Sequence, residues 1–517
     1  MSESSDQQGQ NSRLSLRESS EATVAMTEHQ HGQDARETRI TRVAIVGGGL
    51  AGLAAAARLV ECGALVELFE SRRTLGGRAG SFIEPGTRVL TDHGQHVSMG
   101  CCTALADLLL RTGLDDTFET HRRLTFIGPD GRRHAFAATR LLPAPLHLLP
   151  SLLRLGFLSF AERWKIMRAI GAIKGATGVP PVLEQQHGLD SRLSLRESSA
   201  TFAERKATMA ERQSTLPAGE RLQQNINDQS IDSWLRRQNQ SQASIDRFWT
   251  PLLVSALSET LDHISLDAAR KVIVDGLMAS RRAYELRIPR LPLGEIFDQR
   301  LGDWLESRGA RIHRLARVAQ VDGDACRAWG VVLRDGRRLE FDAVIVAVEW
   351  DRVGRVLSPE LTAAVPELEH VERLRPAAIT TVHLAHDRPI LDVPHALLVG
   401  RLGQWVFRKP ENRVQVVISA SHRLVDMPRD QLARHIEREL AEVFPAAAAA
   451  RVVYRRVVVQ PRAVFSPGPG SDRLRPAQET PIDNLALAGD WTATGWPATM
   501  EGAVRSGTAA ADVILRR

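Results

Sequence analysis

Glycine, acid and arginine recur in this chain at spacings that suit a bound dinucleotide. Gly47, Gly49 and Gly52 stand as Gly-x-Gly-x-x-Gly, directly after the β-branched run Val43–Val46 and before an alanine-rich helical pattern that ends near Cys62. Gly47 permits a tight turn, Gly49 lets a pyrophosphate approach the backbone, and Gly52 lets the helix pack on the strand. The free amides and partial positive charge at the helix start attract phosphate. A second strand, Leu65–Phe69, ends on Glu70, which is placed to accept hydrogen bonds from ribose hydroxyls. Gly76-Gly77-Arg78 adds a second glycine turn and a planar, always-charged fork. That extension points to FAD rather than NAD.

The complementary signal stands at the other end of the chain. Asn484–Trp491 reads as a strand ending in Gly489-Asp490, and Thr499–Gly507 opens a helix of small residues. An aspartate at such a strand end suits a ribityl hydroxyl, and the helix dipole suits the pyrimidine end of a flavin. Met500 and Ala503 on that helix, and Val318 in the run Arg311–Val321, are also assigned to the cofactor. One further polar turn, Asp92-His93-Gly94-Gln95-His96, reads equally well as a ligand turn and as a surface turn capped by its aspartate.

The elements that must position these groups follow from composition and pattern. With 517 residues, 43% hydrophobic and 25% charged, the chain suits a globular protein of two or more domains. The net charge of +6 is spread without a dense basic run interleaved with aromatics, which argues against nucleic acid as a partner. Cys62, Cys101, Cys102 and Cys326 have neither metal-ligand spacing nor a disulfide framework. They suit a reducing cytosol, and the adjacent Cys101-Cys102 is read as packing. No metal site is expected. Apolar runs stay shorter than the ~18 residues a spanning helix needs. Met1–Arg39 lacks the apolar core of a secretion signal, so a cytoplasmic protein is expected.

Taken in order, residues 1–40 read as a disordered tail. Residues 41–100, 294–349 and 478–517 carry the cofactor pattern, and 101–293 with 350–477 form an inserted substrate domain. Ser12–Ser20 recurs as Ser191–Ser199, inside a polar segment, Glu184–Asp228, read as a disordered insertion. Leu141–Phe160 is strongly apolar but broken by Pro143, Pro145 and Pro150. It reads either as a buried helix pair lining a pocket or as a peripheral contact on the inner face of a membrane. Trp234–Leu291 reads as helical, Gly294–Gly309 as a helix and Arg311–Val321 as one strand. A hairpin is expected around Asp335-Gly336, and strands at Ala343–Val348, Ile379–His383, Gln404–Phe407 and Val414–Ser419. The fold class is α/β: a discontinuous Rossmann-like FAD domain with an inserted α+β domain.

Together, GGGLAGLAAAARL, GGRAGSF, DHGQH, FWTPLLVSALSE, PRLPLGEIF and AGDWTATGWPATMEGAVRSG resemble the squalene-associated FAD-dependent desaturases, also called hydroxysqualene dehydroxylases. These belong to the flavin amine oxidase and phytoene desaturase superfamily. The resemblance covers Arg42 to Leu515 apart from the insertion. His93, Ala493 and Trp496 depart from the Asn, Asp and Leu usual in that family.

The resemblance implies a reductive dehydroxylation of hydroxysqualene to squalene, for hopanoid synthesis, with an apolar isoprenoid substrate and a separate electron donor. Loss of water from an allylic alcohol calls for an acid, and Asp92, His96 and Glu501 are the candidates. Helix capping by Glu501 and a structural hydrogen bond at Asp92 are the competing roles. A carotenoid-type desaturase and an amine oxidase share the fold. The latter wants an aromatic cage, for which the chain offers Tyr284, Tyr454, Trp491 and Trp496. A prenyl-lipid carrier is the reading without catalysis. Gly49→Val or Glu70→Arg is expected to abolish FAD binding, by collision with pyrophosphate or loss of the ribose acceptor. The flavin absorbance of the purified variants reads this directly, and full occupancy in both contradicts it.

Overall fold

The computed structural model describes residues 41–85, 88–175 and 228–517. The tail, both nine-residue repeats and the insertion up to residue 227 lie outside the described residues. Arg42–Val46 forms a strand because its uncharged, branched core can be buried on both faces. It is central in a five-stranded parallel sheet ordered Arg311–His313, Leu65–Phe69, Arg42–Val46, Ala343–Val346, Leu485–Leu487. Gly47, Glu70, Ala347 and Gly489-Asp490 all follow the carboxyl ends of these strands, where open parallel sheets bind ligands.

Backbone contact fixes the helices on this sheet. Gly52 in the helix Leu50–Glu61 lies so close to the glycine turn that a Cβ would stand 2.0 Å from the Gly47 carbonyl oxygen. The last helix, Met500–Leu515, crosses the first in the same manner, and a Cβ on Gly507 would stand 2.0 Å from the Ala51 carbonyl oxygen. Ser506 Oγ accepts from the Gly489 N–H at 2.9 Å, which ties that helix to the preceding strand end. Polar contacts lock the strands as well. Buried Glu67 meets Arg42 at 2.6 Å and His313 at 2.8 Å. Burial alone would raise its pKa, but these two partners hold it below the ordinary carboxylate value.

The hairpin around Asp335-Gly336 sits in an antiparallel sheet of Val318–Gly323, Ala328–Leu333 and Arg338–Glu340. A larger sheet of seven strands is ordered Val452–Phe465, Pro376–His386, Arg413–Ser419, Trp405–Lys409, His395–Leu398, Leu124–Ile127, Arg133–Phe136. A helical layer from Ile231 to Met278 shares an apolar core with one part of it. Thus a Rossmann-like FAD domain carries a second, mixed α/β substrate part.

Three expectations need correction. Arg311–Val321 is two strands in two sheets, because the chain turns at Leu315, whose φ is 57°. Leu286–Pro289 is a strand, not helix; it pairs with Phe118–His121 and Ser98–Met99. Leu141–Phe160 holds one short helix, Leu149–Leu153, after a single turn at Leu146–Leu148, since its prolines prevent a longer run. The close helix crossing yields a direct expectation. Gly507→Val overpacks a backbone contact and lowers stability by about 1–3 kcal/mol. Thermal unfolding followed by intrinsic fluorescence tests it, and an unchanged melting temperature contradicts it.

Candidate active site

A cavity of about 990 Å³ opens along the carboxyl ends of the parallel sheet. Every residue assigned to the cofactor from sequence lines it, with the exception of Gly52. Gly52 instead performs the packing task its position requires. A Cβ on Gly49 would meet nothing within 4 Å, so this backbone faces open space. The helix it opens has no side-chain cap and no acid in its first turn, which leaves its amides to an anion. The residues present therefore fit FAD: a bare helix start for the pyrophosphate, an acid at Glu70 and a second helix start at Met500.

Glu70 is held ready by the fingerprint itself. Its Oε2 accepts from the Gly48 N–H at 2.8 Å, and its Oε1 accepts from Arg72 N–H at 2.8 Å. Arg78 and Asp490, assigned to different parts of the cofactor, are neighbours at 2.5 Å. A second nitrogen of Arg78 donates to the Ala463 carbonyl at 3.0 Å, and the guanidinium lies 5.9 Å from the Trp350 ring centre. Burial works against its charge, but Asp490, Glu349 and Asp351 more than offset this and raise its pKa.

The three candidate acids separate clearly. Asp92 does not line the cavity; one carboxylate oxygen accepts from Ser81 Oγ at 2.6 Å and from Leu293 N–H at 2.7 Å. It pins the polar turn to the loop before the helical segment at Gly294. Glu501 lines the cavity, but it accepts from the amides of Ala104 and Leu105 at 3.0 and 2.8 Å and pairs with Arg505 at 2.7 Å. It caps the helix Thr103–Arg111, whose own N-cap residue Cys102 offers no side-chain hydrogen bond. These contacts are the structural hydrogen bond and the helix cap that compete with proton donation at Asp92 and Glu501. His96 differs: it lines the cavity, its Nδ1 engages the Gly94 carbonyl at 3.0 Å, and Nε2 has no partner among the described residues. Burial, with Arg78 and Lys409 nearby, pushes its pKa below the usual value, against the pull of Asp92 and of Gly94.

Several cavity residues had no mark in the sequence. Ile379 and Thr381, and Val417 and Ser419, line it from two neighbouring strands. Strand alternation places each pair on one face, but only the sheet order shows which face. Cys101 and Cys102 line the cavity as well, which corrects their assignment to plain core packing. Trp496 forms part of the wall between two cations, Lys271 at 5.1 Å and Arg505 at 4.9 Å from its ring centre. Among the described residues no group of side chains has the makings of a metal site.

This cleft, with a glycine fingerprint at one helix start and an aspartate before another, defines a FAD-dependent oxidoreductase. The chain belongs to the flavin containing amine oxidoreductase family, whose sequence profile matches residues 50–515. It is 27% identical over 488 residues to a hydroxysqualene dehydroxylase of Sinorhizobium fredii, covering 92% of this chain and 98% of that protein. Identity to the hydroxysqualene dehydroxylase of Rhodopseudomonas palustris is 28% over 480 residues, with the same coverage. A zeta-carotene desaturase of Synechocystis is 23% identical over 512 residues, covering 92% of this chain and 97% of that one. Among solved structures, a putrescine oxidase bound to putrescine superimposes with a TM-score of 0.64 at 17% identity, covering 92% of this chain and 99% of that one. Cyclohexylamine oxidase from Brevibacterium oxydans gives 0.63 at 18%, covering 92% and 100%. These last two show a shared fold.

Glu501→Gln is expected to weaken a helix cap and lower stability by about 0.5–2 kcal/mol while FAD content stays full. Thermal unfolding alongside the flavin spectrum checks this. Unchanged stability with lost activity would return Glu501 to the chemistry.

Proposed function

We propose that the chain removes the hydroxyl group of hydroxysqualene reductively, giving squalene and water. The observation that carries this reading is His96, an imidazole with an unspent ring nitrogen in a cavity that Ala256, Val272, Ile379 and Val417 make largely apolar. The end-to-end likeness to dehydroxylases supports the substrate. When bound and reduced by a separate electron donor, the flavin would supply the two electrons of this reaction as a hydride.

The chain's own residues have simpler tasks. Gly49, Glu70, Arg78 and Asp490 bind and orient the cofactor. Apolar walls exclude water and favour an isoprenoid. The Gly94 carbonyl fixes the His96 ring by taking its Nδ1–H, so Nε2 is the atom that carries a proton toward the leaving hydroxyl. Departure of water from an allylic carbon leaves a delocalised cation, and hydride addition completes squalene. One proton and one hydride enter for each hydroxyl lost, so the balance closes.

A second reading, carotenoid-type desaturation, draws support from the zeta-carotene desaturase relative. The amine oxidase reading is weaker. Among the described residues, Phe69 and Trp496 are the cavity's phenyl and indole rings, and Phe69 is stacked on His313. Tyr284 donates to the Arg122 carbonyl outside the cavity, and Trp491 donates to that of Val348.

The test mixes anaerobic, pre-reduced protein with hydroxysqualene and follows flavin reoxidation and squalene together. His96→Gln is expected to retain FAD and lose about 10²- to 10⁴-fold in rate. The parent rate also carries a pH signature. A depressed His96 pKa means that the acid form dominates only below the shifted value, itself lower than the usual value of about 6.5, and vanishes as pH rises through it. The rate should therefore climb on acidification in the parent and stay flat in His96→Gln. No reoxidation by the parent, with desaturation of a polyene by the oxidised form, establishes the second reading instead.

A further inference from the structure

The stretch from Arg140 to Lys174 supplies no side chain to the cavity, and its surface is unlike the rest. Leu141 (90% exposed), Leu146, Leu153, Phe160 (74%) and Trp164 (55%) all face outward. No other stretch of that length among the described residues exposes as many large apolar side chains. Phe160, Trp164 and Arg168 follow one another at four-residue steps, so they form a stripe on the outer face of the helix Phe160–Gly175. Its inner face is Ile166, Ala169 and Ile173, which are buried. The helix Leu149–Leu153 packs against this one and against the turn at Leu146–Leu148, while Thr139 N–H donates to the His147 carbonyl at 2.9 Å. The exposed residues therefore belong to one surface.

The charge of that surface is one-sided. Arg140, Arg154, Arg163, Lys165, Arg168 and Lys174 are opposed by Glu162 alone, a net +5 within a chain of net +6. Glu162 is already engaged, accepting from Ser159 N–H at 2.7 Å and Ser241 Oγ at 3.1 Å. Among the described residues none of Arg140, Arg154, Lys165, Arg168 and Lys174 pairs with a carboxylate. The cores of protein interfaces are depleted of charged residues, unlike this surface. Aromatic rings set among unpaired cations match a lipid surface, where rings settle at headgroup depth and cations meet phosphate. No helix among the described residues is long and apolar enough to cross a membrane, so the contact is with one leaflet.

We propose that this surface docks the protein on an anionic phospholipid bilayer, with Phe160 and Trp164 inserted and Arg154, Lys165 and Arg168 on the headgroups. The test sediments the full-length, flavin-loaded chain with vesicles of phosphatidylglycerol and phosphatidylcholine at 1:1, and with phosphatidylcholine alone. Binding is expected on the anionic vesicles, at least tenfold stronger than on the neutral ones, and weakened by added salt. The pair Phe160→Ser with Trp164→Ser, and separately Arg154→Glu with Arg168→Glu, should each cost about tenfold while flavin content and melting temperature hold. If the first pair fails to fold, the charge pair decides alone. No sedimentation of the parent, or variants that sediment as well as the parent, overturns the proposal. So does self-association of the parent that the same substitutions dissolve, since the face then belongs to a second copy.

Discussion

Backbone lying on backbone is the constraint from which the site follows. Gly52 against Gly47, and Gly507 against Ala51, leave no room for even one methyl group. Where side chains shrink to nothing, helix and strand approach until their ends share one cleft. The first helix can then aim its bare amides, and the last helix its Thr499-capped start, into the same cavity. A wider crossing would separate the two helix starts and leave the cofactor spanning a gap. Dense packing is therefore a positional device here as much as a stabilising one.

Within that frame the site keeps ionisable groups at work in different ways. Glu70, Asp92 and Glu501 all spend side-chain oxygens on backbone amides, and so hold the backbone around them in place. His96, by contrast, keeps its Nε2 without a partner among the described residues. Its protonation is a contest in which burial, Arg78 and Lys409 oppose Asp92 and the Gly94 carbonyl. Asp92 thus favours the charged form of His96 by charge through space rather than by contact.

Much of the architecture was legible because its signals are local. A β-branched run, three glycines and an alanine-rich helix specify one another within a few turns of chain, and Leu485–Asp490 with Thr499–Gly507 does the same. What stayed hidden was non-local. That Glu501 caps a helix beginning at Thr103 depends on a contact across most of the sequence. Which faces of the strands at Ile379–Thr381 and Val417–Ser419 meet the cavity depends on sheet order. The wide helical turns at Ile245–Trp249, Val272–Met278 and Gly294–Arg300 leave no periodic trace, since one extra residue per turn blurs the 3.6-residue pattern. The division of Arg311–Val321 turned on a single left-handed residue, Leu315, whose type gives no warning.

The crossing of the first and last helices also sets an order in time. Synthesis delivers Gly47 to Arg78 roughly four hundred residues before Gly489, Asp490 and the helix from Met500. Half of the cradle thus waits, with the Ala51–Ala55 face of the first helix lacking its natural cover until Gly507 arrives. The edge strand Leu485–Leu487 joins the parallel sheet at that same late stage. A chain that has not yet reached Met500 therefore presents only part of the cradle, with one helix start in place of two.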